Sequence, residues 1–216
     1  MTDHDKAQPP VSDDVAAEQL AIRDDVRPCL CRVAASADGN LSPQLARLLL
    51  DTHTTIGDFA LDVDNDAAFA AAAAQAGRRL HALGGAQHLA AMSHAAGYID
   101  MILLHWPRPA VNPQWLLVAC RSLLRNAGCL VIAARVGSEH RISRLSALRD
   151  AATTADLHLI DHIAAVNPAS GTATRAATPP AAAQHRQHIT GHDAAVATPL
   201  VPHTDLLIFA TQAGPR

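Results

Sequence analysis

The chain has 216 residues, a formal net charge of −3, 49% apolar residues and only 3% aromatics. That length suits one domain with a real core plus loose segments, and the slightly acidic balance argues against a general polyanion binder while leaving a local basic face open. Much of the apolar fraction is alanine, which buries little area, so the core must rest on runs of Leu, Ile and Val. No basic start is followed by an apolar stretch, and no uninterrupted apolar run reaches about 18 residues. The expectation is a cytoplasmic protein with no membrane partner. Cys29, Cys31, Cys120 and Cys129 lack metal-ligand spacing. Cys120 and Cys129 sit in apolar runs and read as small buried hydrophobes.

Taken in chain order, residues 1–25 are polar and acidic and contain Pro9-Pro10. They read as a disordered leader with a short helix around 14–24. Ser42-Pro43 supplies an N-cap followed by proline at the first helical position, which predicts a helix over 42–54 with Leu45, Leu48, Leu49 and Leu50 on its apolar face. Phe59–Asp62 is a short strand. Residues 66–79 form an alanine-rich helix stopped by Gly77, and Leu80–Leu83 is a second strand. The stretch 85–97 is too short for a full helix plus another strand, so that edge of the sheet is expected to be trimmed. Ile99–Leu104 is nearly continuous in apolar residues, as a strand buried on both faces should be.

Trp115, Leu116, Ala119, Leu123 and Leu124 fall at core spacing on a helix over 113–126, ended by Asn126-Ala127-Gly128. The strand Cys129–Ala133, a helix over 143–155, and strands Leu157–Val166 and Asp205–Ala210 complete the pattern. Strands alternating with helices predict an α/β three-layer sandwich with a mostly parallel sheet. The domain is expected over 26–166 and 203–212. Between its last two strands, residues 168–202 are rich in Ala, Thr, Pro and His and read as a low-complexity loop, with disorder favoured over order.

Several of these segments together resemble a known family. Gly57-Asp58-Phe59-Ala60-Leu61-Asp62 matches a strand entering a cofactor loop, and Gly77-Arg78-Arg79 a turn into a second strand. Asp100-Met101-Ile102-Leu103-Leu104 matches the strand leading to a catalytic tetrapeptide. Leu123 to Ile132 matches a helix–glycine–strand unit, and His203 to Phe209 a closing strand. Their order resembles class I S-adenosylmethionine-dependent methyltransferases, specifically those acting on exocyclic amines of DNA bases (N4 of cytosine, N6 of adenine). The likeness covers residues 42–166 and 203–210. It implies a Rossmann-like sheet, S-adenosylmethionine as cofactor near Asp62, Asp64 and Asp66, and a target site at His105-Trp106-Pro107-Arg108. In that site Trp106 could stack on a flipped base, and His105 could accept a hydrogen bond or act as a base.

The family's glycine-rich turn is absent. Val63-Asp64-Asn65-Asp66-Ala67-Ala68 stands in its place, although glycine is what lets a backbone approach a cofactor closely. The three carboxylates at 62, 64 and 66 read more simply as a solvated turn at a helix N-terminus than as cofactor ligands. The second strand ends Ala82-Leu83-Gly84-Gly85, with no acid for ribose hydroxyls. Two readings follow. One is a methyltransferase with impaired or lost catalysis. The other is a non-catalytic binding or scaffolding module, a pseudoenzyme partnering nucleic acid, another protein or an active subunit. Oligomeric state is not legible.

Other constellations read as structural. His185, His188 and His192 are spaced as metal ligands can be, but without supporting cysteines they read as incidental. Arg78, Arg79 and Arg108 could touch phosphate and read as solvated surface arginines. Asp161-His162 reads as a satisfied contact, and Trp115 as core packing.

Overall fold

The computed structural model describes residues 29–33, 40–108, 110–135, 141–166 and 203–211. The leader over 1–25, the segment 168–202 and the histidine cluster within it lie outside the described residues. In chain order the elements are β1 (Cys29–Arg32), α1 (Pro43–His53), β2 (Phe59–Asp62), α2 (Ala67–Gln75), β3 (Arg79–Ala82), a 3-10 helix (Ala86–Ala95), β4 (Ile99–Trp106), α3 (Pro113–Leu123), β5 (Leu124–Ala134), α4 (Arg141–Thr154), β6 (Leu157–Val166) and β7 (His203–Thr211).

The seven strands form one sheet in the order β1-β6-β7-β5-β4-β2-β3. All neighbours are parallel except β7, which runs antiparallel to both β5 and β6. The predicted mostly parallel α/β sandwich is therefore the observed architecture. One side of the sheet buries Leu45, Leu49, Leu50 and Phe69 from α1 and α2 against Met101, Leu103 and Val131. The other buries Leu89, Leu116, Leu117, Leu145 and Leu148 from the 3-10 helix, α3 and α4 against Ile102, Leu130 and Phe209. Alanines at 72 and 73 in α2 are buried, which lets that helix lie close to the sheet. No helix among the described residues is long and apolar enough to cross a membrane.

Local chemistry explains the boundaries. The Ser42 side chain accepts from the Leu45 amide and caps α1, with Pro43 at its first position. Asp66 caps α2 by accepting from the Phe69 amide. The helix then stops at Gln75, short of the predicted 79, because Gly77 turns left-handed at φ 67°. α3 likewise stops at Leu123, and the chain enters β5 directly at Leu124. At Gly128 a Cβ would lie 3.0–3.2 Å from three backbone oxygens, those of Arg125, Ile99 and Asp100. That residue marks a backbone contact with β4 rather than a helix end. Trp115 is 47% exposed, so the core reading of this residue is corrected: it lies on the outer side of α3.

Two strands end the sheet. β1, which the sequence reading lacked, pairs with β6 across more than 130 residues of chain, from Cys29↔Ile163 to Arg32↔Val166. At the other end β3 has β2 on one side and, among the described residues, no strand on the other. The stretch after it folds only into the 3-10 helix, so the expected trimming of that edge is what the sheet shows.

Candidate functional site

β2 and β4 are neighbours, with Asp62 opposite Leu103. The chain leaves β2 toward β3 on one side while β4 lies on the other, so the strand order reverses between them. In open α/β sheets ligands bind at such a point, outside the carboxyl ends of the strands. Asp62, Asp64 and Asp66 follow β2 there, and His105, Trp106, Pro107 and Arg108 end β4, with a cis peptide between Trp106 and Pro107. The structure therefore brings all seven anticipated residues to one rim.

The rim is densely bonded. Asp62 is fully buried. One of its oxygens accepts from the amides of Asp64 (2.9 Å) and Asn65 (3.0 Å), and the other from the Asp66 amide. Asn65 takes the left-handed conformation, φ 61°, in place of glycine. Asp66 Oδ1 accepts from the Phe69 amide at 2.9 Å, and its Oδ2 accepts from the Leu41 amide at 2.6 Å and faces His105 Nε2 at 3.0 Å. Asp64 Oδ2 accepts from the His105 amide at 2.7 Å, and Asp64 Oδ1 pairs with Arg108 Nη2. The Arg135 amide donates to the Trp106 carbonyl at 2.8 Å, and Arg135 Nη2 reaches the Asn40 carbonyl at 2.8 Å. Leu41 and Arg135 were not anticipated. No local pattern could reveal them, because their partners lie 25 residues away or more.

The electrostatics follow from this wiring. Burial raises the Asp62 carboxyl above its ordinary range; amide hydrogen bonds from Asp64 and Asp66 oppose the rise, and the two neighbouring carboxylates add to it. Asp66 also suffers from burial, but the hydrogen bond from His105 and those from the Leu41 and Phe69 amides outweigh it and hold the group below the usual carboxylate range. The expected solvated turn is thus corrected. Asp62 and Asp66 are buried because each finds donors, which is the condition for burying a carboxylate.

The other candidates resolve differently. Arg78 is no surface arginine: it is almost buried and donates to Thr54 Oγ1 and the Thr54 and Ala76 carbonyls. Arg108 is 13% exposed and paired with Asp64. Arg79 is exposed and lies over the Phe59 ring. The His162 ring meets Asp205 Oδ1 at 2.8 Å, while Asp161 accepts from the His162 amide. Cys120 and Cys129 are buried as expected, and desolvation pushes both thiols up to about 12. Among the described residues no group of three or more His, Cys, Asp or Glu is placed to hold a metal ion.

No protein-family model matches the sequence, and no curated protein matches it. Solved structures do resemble it. The [4+2]-cyclase SpnF is 11% identical over 87% of this chain and 90% of that one, with a TM-score of 0.50. A SAM dependent methyltransferase from Archaeoglobus fulgidus is 10% identical over 79% of this chain and 95% of its own, with a TM-score of 0.49. Geranyl diphosphate C-methyltransferase from Streptomyces coelicolor A3(2), in complex with Mg2+, geranyl diphosphate and S-adenosyl-L-homocysteine, is 10% identical over 78% and 80%, with a TM-score of 0.48. Likeness at this level bears on fold. The chain shares with SpnF a mixed α/β, Rossmann-like fold. A cyclase among the neighbours illustrates that the fold does not fix the reaction.

The residues on this rim fit an S-adenosyl cofactor poorly. The amides of the loop after β2, which a ligand could otherwise use, are taken by Asp62. Asp64 and Asp66 are engaged with β4. The end of β3 offers no carboxylate for ribose hydroxyls.

Proposed function

We propose that this chain is a methyltransferase-fold protein that has lost methyl transfer and acts as a binding or scaffolding module. The observation that carries this reading is the self-bonded rim. Asp62 fills both its oxygens with the loop's own amides, and Asp64 and Asp66 tie the loop to His105 and Arg108 across the switch point. Entry of S-adenosylmethionine would have to break these bonds, two of whose carboxylates, those of Asp62 and Asp66, are buried.

A protein partner suits the module better than nucleic acid. The net charge is −3, and Arg78, Arg108 and Arg125 already face carboxylates. The finer relation to enzymes that methylate DNA bases rests on the order of the segments at 57–62, 77–79, 100–104, 123–132 and 203–209, while His105-Trp106-Pro107-Arg108 departs from that family's tetrapeptide; the same experiment tests it. Isothermal titration with S-adenosylmethionine and with S-adenosylhomocysteine should give no saturable heat up to about millimolar ligand, which corresponds to binding weaker than about 4 kcal/mol. Micromolar binding, followed by methyl transfer to an oligonucleotide, would overturn the reading.

A further inference from the structure

A second concavity lies at the opposite ends of the same strands. Phe59 and Arg79 open β2 and β3, Tyr98 immediately precedes β4, and Met92, His94 and Ala95 belong to the last turns of the 3-10 helix. Together with His81 they line a groove of about 500 Å3. It exists because the sheet stops at β3. The 3-10 helix packs against α3 and leaves the face of β3 that carries Arg79 and His81 exposed.

The groove's chemistry is lopsided. Its floor is apolar, formed by Phe59, Met92 and Ala95, with Tyr98 standing 74% exposed at its side. Its polar lining consists of Arg79, His81 and His94 and contains no carboxylate, in a chain whose net charge is −3. Arg79 is held in place: its Nε donates to the Gly57 carbonyl at 2.9 Å, and its guanidinium carbon sits 5.6 Å from the centre of the Phe59 ring. Its terminal nitrogens have no acceptor among the described residues and keep the planar fork that matches carboxylate and phosphate. His94 Nδ1 donates to the Ala91 carbonyl at 3.1 Å, which fixes the ring and frees Nε2. His81 has no hydrogen bond partner among the described residues.

We infer that this groove is a binding site for a small amphipathic anion, an aromatic or branched apolar body carrying one carboxylate or phosphate. The apolar body lies on Phe59, Met92 and Tyr98, and the acidic head meets Arg79 with His81 and His94 beside it. The volume falls within the range of small-molecule pockets, about 300–1,000 Å3, and apolar walls with a few convergent polar groups are how such pockets are built. The site is separate from the carboxyl-end rim and does not depend on the reading of that rim.

The test is a chemical-shift titration of the full chain with 4-phenylbutyrate, with phenyl phosphate and with the neutral 4-phenylbutanol. One or both anions should bind saturably and move the amides of Arg79, His81, Ala95 and Tyr98 while leaving Asp64, Asn65 and His105 in place; the stronger of the two identifies the head group. The alcohol should bind at least about tenfold more weakly, and Arg79→Gln should weaken the anion by about tenfold or more, a change of about 1.4 kcal/mol. Tyr98→Ala, at a side chain too exposed to hold the fold, should weaken all three probes. Equal affinity for anion and alcohol, no effect of Arg79→Gln, shifts centred on the rim, or no saturation at about 10 mM would each overturn the proposal.

Discussion

At the carboxyl ends of β2 and β4 every carboxylate has found a donor. At the amino ends of β2 and β3 an arginine and two histidines have almost no acceptors. The two places lie on the same strands and differ in what covers them. The rim is closed over by the loop after β2, by Leu41 just before α1 and by the chain leaving β4. The groove is left open because β3 is the last strand of the sheet among the described residues. The end of the strands where an α/β sheet usually binds its ligand is filled here by the chain's own side chains, and the open space lies at the other end, beside β3.

The sharpest way to break this contrast is Asp66→Ala. It removes the cap of α2 and strands the Leu41 amide and the His105 ring. The expected loss is about 4 kcal/mol, from a cap of about 1 and buried unpaired groups of about 1–3 each, read from urea unfolding. A loss under about 1 kcal/mol would mean the rim is not self-supporting.

The pH dependence of Asp66→Asn follows the same bonds. Asp66 titrates lower in the folded protein than its ordinary 3.8. Its charged form therefore contributes stability that is full above that value and is lost as pH falls through the lower folded value. The wild type's advantage over Asp66→Asn should shrink as pH drops below 3.8; an advantage unchanged in acid would separate the carboxylate charge from the network.

Asp64→Asn should have a smaller effect, about 1 kcal/mol, because it loses the Arg108 partner but keeps an oxygen for the His105 amide. Arg79→Gln should change stability least, within about 0.5 kcal/mol as for an exposed site. It weakens anion binding all the same, so stability and binding should separate at the groove and not at the rim.

Much of the fold was legible where the signal is local. Ser42-Pro43 announced α1, and the apolar runs at Phe59–Asp62 and Leu157–Val166 gave β2 and β6 with their observed bounds. β1 was missed because Cys29–Arg32 is four residues long and is a strand only by virtue of β6, far along the chain. The site divides in the same way. That the acids at 62–66 and the tetrapeptide at 105–108 share a rim could be argued from topology alone. That Asp66 is buried could not, since two of the groups that pair with it come from Leu41 and His105, far along the chain. Nor could the groove be foreseen, because Phe59, Arg79, His94 and Tyr98 meet only through the sheet's early end.

The antiparallel pairing of β6 with β7 sets Val166 directly opposite His203. The two ends of whatever connects them are therefore fixed neighbours, and the sheet does not dictate the connector's length. Closure entropy grows only logarithmically, by about 0.6 kcal/mol for each doubling. This junction is accordingly a place where the chain can be lengthened, shortened or fused to a reporter, since neither Val166 nor His203 belongs to the rim or the groove.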